Sequence, residues 1–383
     1  MNRVAGGLLV GLCLCIAAPL LADSDLLVTV RNPSAGPRKC ETVEVRLIDL
    51  QANGMQDGAE GFTVIDPADG NELMTQVTDS LLLFQSDFAG GERKTFRVKP
   101  GKKSGAPSAS KVDGYFAYPR EDYAWENDRI AFRMYGPALA AEVGNGIDVW
   151  TKRVRSLIVR KWYEEDAREG KGNYYHTDRG EGADFFAVGR TLGAGGSGLW
   201  YRDSLYQPGV FTACRMLSNG PIRTSFELVY DAWDIRGKKF AETKRISLDA
   251  GHNLNRIEVR FTGVDPDDSL LIACGLVKRK DVKPSGDEQR GWLALWGPTN
   301  SDPVNGSLGT GILLTPSAVA GMREDSLHVM LLGHLVAGQP FVYRAGAGWT
   351  RGGDFDDVAV WKNYLSDAVT AATEPLQISI AAR

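Results

Sequence analysis

Apolar and polar residues alternate along most of the chain, as they do in β-strands with one buried and one wet face. Val43 and Val45 alternate with Glu44 and Arg46, and residues 255–261 repeat the pattern without interruption. Similar alternation predicts further strands at 96–99, 222–230, 292–296, 327–332, 341–344 and 376–380. The period of two therefore predicts sheets that pack on a core with one face and meet water with the other.

Helical spacing is clear in one segment near the C-terminus. It follows Asp354 and Asp356, which are candidate caps. The apolar residues that recur there every three to four positions are Val358, Trp361, Leu365 and Val369. One helix does not change the class, and 44 glycines and 17 prolines suit many tight turns. We predict an all-β protein with a large β-sandwich, a smaller β module before it and one C-terminal helix.

A segment rich in Gly, Ser, Pro and Lys interrupts the alternation after residue 100 and is typical of a surface linker. We take residues 101–111 as this linker. The smaller module is then predicted at 24–100 and the large sandwich at 112–383.

The first 22 residues have the pattern of a secretory signal peptide. Arg3 supplies a positive charge, residues 8–18 are almost wholly apolar, and small residues precede a cleavage site near Ala22. No later segment approaches the roughly 18 uncharged apolar residues of a membrane span, so an integral membrane protein is not expected. We expect an exported protein, periplasmic or secreted.

Charge and cysteine content narrow the function classes. The chain has 44 basic and 48 acidic residues, interspersed and with a net charge of -4, which argues against a nucleic-acid partner. After the signal peptide three cysteines remain, Cys40, Cys214 and Cys274, whose spacing matches no zinc motif. One disulfide is compatible with this number and none is required.

Three segments gather aromatic and titratable side chains in the way a sugar-binding site does. Residues 125–129 supply Glu126, Asn127, Asp128 and Arg129; residues 145–153 supply Trp150, Lys152 and Arg153; residues 173–200 supply Tyr174, Tyr175, His176, Asp178 and, after a glycine run, Trp200. Each side chain also has a purely structural interpretation, as a core aromatic or as part of an ion-pair network.

His176 is the strongest single candidate among the four histidines, because a polar, glycine-bearing context is atypical of a core histidine. His334, flanked by apolar residues, is expected to be buried and structural. A lone histidine near Asp178 and Glu181 is a weak metal signal, so no cofactor is predicted and a divalent metal has no support beyond its donor types. Carboxylates among these segments leave glycoside hydrolysis open.

Six phrases in chain order resemble one family of exported bacterial proteins. They are WENDRIAFRMYGPAL, NGIDVWTKR, KWY, YYHTDRGEGADFFAVGRTLGAGG, NGPIRTSFELVYDAW and AGAGWTRGGDF. The family is a domain of unknown function encoded beside polysaccharide lyases and includes ulvan oligosaccharide dehydratases. The large part is similar, more remotely, to the galactose-mutarotase-like β-supersandwich. The resemblance implies a carbohydrate-active protein whose partner is an acidic oligosaccharide.

The chemistry of such a substrate suggests roles for these residues. Dehydration removes the C5 proton of a terminal uronate and expels the C4 hydroxyl, which requires a base near C5. His176 is the first choice, with Tyr174 or Lys152 second. Tyr175 or protonated Lys152 is the candidate acid, and Arg129, aided by Asn127, is the candidate carboxylate ligand. A noncatalytic glycan-binding protein that uses Trp150 and Trp200, a mutarotase-like epimerase and a hydrolase remain alternatives, and the sequence leaves the oligomeric state open.

Overall fold

A computed structural model describes residues 25–55, 61–101, 109–170, 172–266, 268–299 and 302–383. The predicted signal peptide and most of the predicted linker lie outside these residues. The structure is 51% strand and 13% helix, which confirms the all-β class. The three cysteines are free thiols. None of the helices in the described ranges has the length and apolar composition of a membrane-spanning segment.

The strands in chain order are β1 (Leu26–Arg31), β2 (Arg38–Arg46), β3 (Phe62–Ile65), β4 (Thr75–Val77), β5 (Leu81–Phe88), β6 (Arg93–Pro100), β7 (Val112–Ala117), β8 (Asp122–Asn127), β9 (Ala131–Met134), β10 (Asp148–Lys152), β11 (Gly182–Asp184), β12 (Ala194–Tyr201), β13 (Ser204–Tyr206), β14 (Ala213–Asn219), β15 (Arg223–Ile235), β16 (Lys238–Asp249), β17 (Leu254–Thr262), β18 (Leu271–Val277), β19 (Pro284–Asp287), β20 (Trp292–Thr299), β21 (Asp302–Leu313), β22 (Val319–Glu324), β23 (His328–His334), β24 (Phe341–Trp349) and β25 (Gln377–Ala382). The helices are α1 (Leu47–Ala52), α2 (Val159–Glu169) and α3 (Val358–Thr373). Single 3-10 turns lie at Pro137–Leu139, Tyr174–His176, Pro316–Ala318 and Thr350–Gly352.

Three sheets enclose the main core of the large part. They have the strand orders β14-β15-β16-β17-β24-β21-β20-β19, β13-β12-β18-β23-β22 and β11-β10-β9-β8-β7. Apolar side chains from all three form one buried cluster, as Phe132, Phe226 and Leu331 illustrate. The alternation predicted for 255–261 is present in β17, where Ile257 and Val259 are buried. This arrangement confirms the predicted large β-sandwich.

Two smaller sheets form a second core near the N-terminus, with the orders β25-β1-β6-β3 and β2-β5-β4. The last strand of the chain belongs here, because β25 pairs antiparallel with β1 from Leu26↔Ala382 to Arg31↔Gln377. Its apolar residues Ile378 and Ile380 pack on the smaller core. The C-terminal end of the predicted large segment thus returns to the smaller module.

The C-terminal helix is α3, as predicted, and it packs on the outside of the large sheet through Trp361, Leu365 and Val369. Its cap is Asp357, whose carboxylate accepts hydrogen bonds from two backbone N–H groups of the first turn. The predicted caps Asp354 and Asp356 are both wrong: Asp354 binds Arg129 and Arg155 instead, and Asp356 lies one residue before the cap.

The glycine run before Trp200 is built into β12. Gly195 has a φ of +122°, and a Cβ added there would overlap the Ala345 side chain. Only glycine allows β12 to approach β24 so closely. The run therefore serves sheet packing.

Candidate active site

The sheet β11-β10-β9-β8-β7 has one apolar and one polar face, and the polar face carries the candidate site. Strand register brings Arg133 of β9 opposite Asp148 of β10, and Trp150 opposite Asp184 of β11. Because cross-strand partners share a face, these residues project to the same side. Phe132 and Val149, one position away, project into the main core. Alternation thus separates an apolar side from a charged side.

Arg133 lies at the centre of this polar face and is almost fully buried. Its guanidinium donates to the carboxylate of Asp148 at 2.6 and 2.9 Å and to that of Asp184 at 3.0 Å. Asp122 Oδ2 lies 3.9 Å from the same group. The Arg133 guanidinium also donates to the Tyr135 hydroxyl at 3.0 Å. We call Arg133 and these four partners the Arg133 cluster.

An aromatic layer covers the polar face. Trp150 stacks on Tyr175 and on Trp162 of α2, with ring centroids 4.5 and 5.5 Å apart. Tyr163 of α2 donates from its hydroxyl to Asp122 at 3.0 Å. Helix α2, which the sequence analysis did not predict, therefore holds the Tyr174–His176 turn against the sheet.

His176 is the half-exposed member at the edge of this arrangement, with 49% of its side chain accessible. Its Nδ1 lies 3.3 Å from the backbone carbonyl of Asp184 and 3.6 Å from the Asp184 carboxyl. A carbonyl oxygen only accepts, so this contact assigns the proton to Nδ1 and leaves the lone pair on Nε2. Nε2 has no partner among the described residues. The ring is therefore oriented with its basic nitrogen free.

Burial changes the acidity of the carboxyl groups beneath His176. It raises the pKa of Asp184 well above its usual range, and the neighbouring Asp148 adds to the effect. It also raises the pKa of Asp122 to about 6, although Arg133 opposes the shift. Asp122 Oδ1 has no hydrogen-bond partner in the described part of the chain, so no donor there stabilises a negative charge on that oxygen. Burial thus favours retained protons on Asp122 and Asp184.

Of the predicted residues, Tyr174, Tyr175 and His176 lie at this site. Tyr175 is buried and its hydroxyl accepts from Arg133 at 3.4 Å. Tyr174 is half-buried beneath the guanidinium of Arg179, which lies 4.5 Å from its ring centroid. Trp150 also lies here, but its rings are covered by other aromatics and offer no open face to a sugar.

The predicted residues Glu126 and Lys152 form a separate buried pair on the same sheet. Lys152 donates to the Glu126 carboxylate at 2.5 Å and to the Asn127 carbonyl at 2.6 Å, and its side chain is 0% exposed. Glu126 in turn accepts from the backbone N–H groups of Ile158 and Val159, at the start of α2. The pair therefore caps α2, and its burial leaves Lys152 out of reach of a substrate.

Arg129 does not meet His176. Its guanidinium binds Asp354 at 2.6 Å and lies 3.7 Å from Asp128. Asn127 closes the β8–β9 turn, accepting from the Arg129 N–H and donating to two carbonyls near residue 250. The guanidinium beside His176 is that of Arg133 instead, because register places β9 and β10 side by side.

The remaining predicted residues have structural contacts. Asp178 accepts from two backbone N–H groups of its own loop and pairs with Arg153 at 3.0 Å. Trp200 packs in a small apolar cluster with Met330 and Leu332 on another sheet. His334, expected to be buried, is exposed at the end of β23, where it pairs with Leu271 at the start of β18.

Arg133, Asp148 and Asp184 were not among the site residues predicted from the sequence. Arg133 interrupts an otherwise apolar strand between Phe132 and Met134, whereas Asp148 begins β10 and Asp184 ends β11. A charge inside a short apolar strand was the available signal, since such a residue requires a buried partner. No group of three or more His, Cys, Asp or Glu in the described ranges is arranged to hold a metal ion.

Fold and site together define a multi-sheet β-sandwich protein with a buried charged cluster beneath a half-exposed histidine. Residues 30–378 match the family described as "Domain of unknown function (DUF4861)". A curated relative, "Uncharacterized protein P7" of Formosa agariphila, is 33% identical over 381 residues, covering 92% of this chain and 93% of that protein. The chain belongs to this family, which confirms the resemblance drawn from its motifs.

A solved structure is similar in fold. It is a protein in the glycosyl hydrolase family 38 from Enterococcus faecalis, with a TM-score of 0.51 and 9% sequence identity. The alignment covers 94% of this chain and 48% of that one, so this chain spans about half the length of the solved protein. At this identity the likeness shows the fold alone.

Proposed function

We propose that this protein is an exported carbohydrate-active enzyme, periplasmic or secreted, that dehydrates a terminal uronate of an acidic oligosaccharide. The observation that carries the proposal is His176, whose Nε2 is free and accessible while Nδ1 is held by Asp184. A base oriented through its other nitrogen is the arrangement that proton abstraction requires.

The elimination balances with His176 as both base and acid. Nε2 takes the C5 proton, the electron pair forms the C4–C5 double bond, and the C4–oxygen bond breaks. The imidazolium then returns the proton to the departing hydroxyl, which leaves as water. Burial argues against Lys152 and Tyr175 as the acid, because neither presents its polar atom to solvent. Tyr174, half-buried beside His176, remains a candidate to support either step.

The Arg133 cluster supports this chemistry indirectly. Its fixed charges hold Asp184, and Asp184 holds the imidazole, so the base needs little rearrangement during the reaction. The aromatic layer excludes water from the inner side of the ring. The buried network thus fixes the orientation of the base before the substrate binds, which favours catalysis.

The test is an incubation of the purified protein with saturated, glucuronate-ended oligosaccharides, followed by ultraviolet absorbance and mass spectrometry. A conjugated product that has lost one water without chain cleavage is expected. His176→Ala should lower kcat by roughly 10²–10⁴-fold. His334→Ala, at an exposed histidine outside the site, is the matched control and should retain full activity.

Other products would identify the alternatives. Shorter absorbing products indicate chain-cleaving elimination, shorter products without absorbance indicate hydrolysis, and altered NMR signals at constant mass indicate epimerisation. Binding by calorimetry without any product indicates a noncatalytic glycan-binding protein. Full activity in His176→Ala would remove the histidine as the base and overturn the mechanism.

A further inference from the structure

The tip of the β7–β8 hairpin, residues 118–121, approaches the candidate site near the C-terminal end of α2. Arg120 of this tip donates through Nη2 to Asp166 of α2 at 2.7 Å. Its guanidinium carbon lies 5.6 Å from the Tyr175 ring centroid, and 31% of the side chain is exposed. Nε and Nη1 have no hydrogen-bond partner among the described residues. Arg120 therefore has a fixed position and unused donors.

The same tyrosine ring links Arg120 to the proposed base. His176 contacts Tyr175 with ring centroids 4.9 Å apart. Because Arg120 and His176 both border one ring, an oligosaccharide bound across this part of the surface can approach both. A guanidinium with free donors next to a base is the pairing that a uronate requires at its carboxylate and C5.

Other arginines around the site are already neutralised by a carboxylate. Arg129 and Arg155 share Asp354, Arg153 pairs with Asp178, and the buried Arg133 is saturated by its own cluster. Arg120 also has a carboxylate partner, but that contact uses one edge of the fork and leaves the other edge for a ligand. Arg153 and Arg179 keep free donors as well, but Arg120 is the partly exposed arginine that lies against the same Tyr175 ring as His176.

The hairpin tip is held in place rather than loosely attached. A Cβ added at Gly136 would overlap the carbonyl oxygen of Glu121, so the chain after β9 packs directly against the tip. Asp122, the first residue of β8, is buried in the Arg133 cluster. Tyr118 on the same tip exposes 82% of its surface, the largest fraction among the exposed large apolar side chains of the described chain. An aromatic ring held so openly suits the apolar face of a sugar.

We infer that this hairpin tip is the recognition element for the acidic sugar: Arg120 binds the uronate carboxylate through its free fork edge, and Tyr118 stacks on the neighbouring sugar ring. The inference rests on the proposed function for the position of the reacting carbon beside His176. It replaces Arg129 by Arg120 as the carboxylate ligand.

Binding is measured by calorimetry in the His176→Ala background, so that turnover does not interfere. The probes are a saturated glucuronate-ended disaccharide and its glucose-ended counterpart. Arg120→Gln is expected to weaken binding of the acidic probe by about 10- to 100-fold, the loss of a charge-assisted contact, and to remove its advantage over the neutral probe. Tyr118→Ala should weaken both probes by about 3- to 10-fold, and Tyr118→Phe by little.

Arg160→Gln is the matched control, because Arg160 also pairs with an aspartate, Asp113, and lies over a tyrosine ring, that of Tyr115. It should bind both probes as the parent does. Arg120→Lys keeps the charge but lacks the planar fork, so it should bind the acidic probe with intermediate strength. Such a graded effect would show that Arg120→Gln weakens binding through the lost contact and not through misfolding. Circular dichroism of each variant checks the fold.

The outcomes separate this inference from the proposed function. If the unmodified protein dehydrates the acidic oligosaccharide while Arg120→Gln keeps its KM and its preference, the inference is overturned and the function stands. If binding depends on Arg120 but no product forms, the function fails and the recognition element stands. Equal binding of both probes by the parent, or binding of neither, overturns the inference.

Discussion

Two buried charged groups of this protein differ in what surrounds them. The Arg133 cluster lies under an aromatic layer on the outer side of a sheet, and its guanidinium is satisfied on both edges. The second group, Glu242 and Lys244 of β16, lies inside the large sandwich with both side chains at most 1% exposed. Only the first has a half-exposed histidine at its edge.

The inner pair is less well satisfied. Lys244 Nζ lies 3.1 Å from Glu242, yet Lys244 Nζ, Glu242 Oε2 and Tyr230 Oη have no hydrogen-bond partner in the described chain. Burial raises the pKa of Glu242 and lowers that of Lys244, so both shifts favour the neutral forms. Perturbed acidity alone therefore does not mark an active site. An accessible group joined to the buried network does.

Removing the central cation should produce the largest loss of stability. Arg133→Met removes the guanidinium that donates to the buried Asp148, Asp184 and Tyr135 and leaves these groups without their partner, which should cost about 3–5 kcal/mol in the free energy of unfolding. Lys244→Met leaves one carboxyl, which can take a proton, so we expect a smaller loss. Urea unfolding followed by tryptophan fluorescence compares the two variants. Equal losses would show that the Arg133 cluster is no more cooperative than the simple pair.

The sequence predicts the fold class because most strands here have one apolar and one polar face. The alternation in β17 and the helical spacing in α3 need no knowledge of neighbours. Helix α2 was not predicted, because only Val159, Trp162 and Asp166 of its 11 residues are buried and most of the others are charged. The pairing of β25 with β1 depends on contacts between opposite ends of the chain, which no local pattern reports.

The candidate site was predictable only in part for the same reason. The polar context of His176 is local, and it identified the turn that carries the proposed base. The partners of that turn come from β9, β10 and β11, so they depend on strand register. Sequence reasoning chose Arg129 from a conspicuous polar segment, whereas register brings Arg133, from an apolar strand, beneath His176. Long-range pairing is the missing information.

The acidity of Asp122 should give the Arg133 cluster a distinct dependence on pH. Its pKa is raised to about 6 in the folded protein, against an ordinary value of 3.8. Between these values the unfolded chain binds fewer protons, so this group's stabilising contribution is lost as the pH rises through 6. Asp122→Asn lacks this titration, so its free energy of unfolding should rise relative to that of the unmodified protein by roughly 2–3 kcal/mol between pH 4 and pH 7. Thermal or urea unfolding across that range measures the difference, and a gap independent of pH would refute the assignment.

The smallest effect is expected when the inner pair is removed as a unit. Glu242→Leu with Lys244→Met replaces two poorly satisfied polar groups by apolar groups of similar size, so the free energy of unfolding should change by no more than about 1 kcal/mol. Each single variant should lose more stability than the double variant, because it leaves one buried group unpaired. Comparison of the unmodified protein, the two single variants and the double variant gives the interaction energy between Glu242 and Lys244. Turnover of the acidic oligosaccharide should match that of the parent, since neither residue is joined to His176 by any contact in the described chain. A large loss of activity in a stably folded double variant would show that the inner pair takes part in function, and the contrast between the two buried groups would then fail.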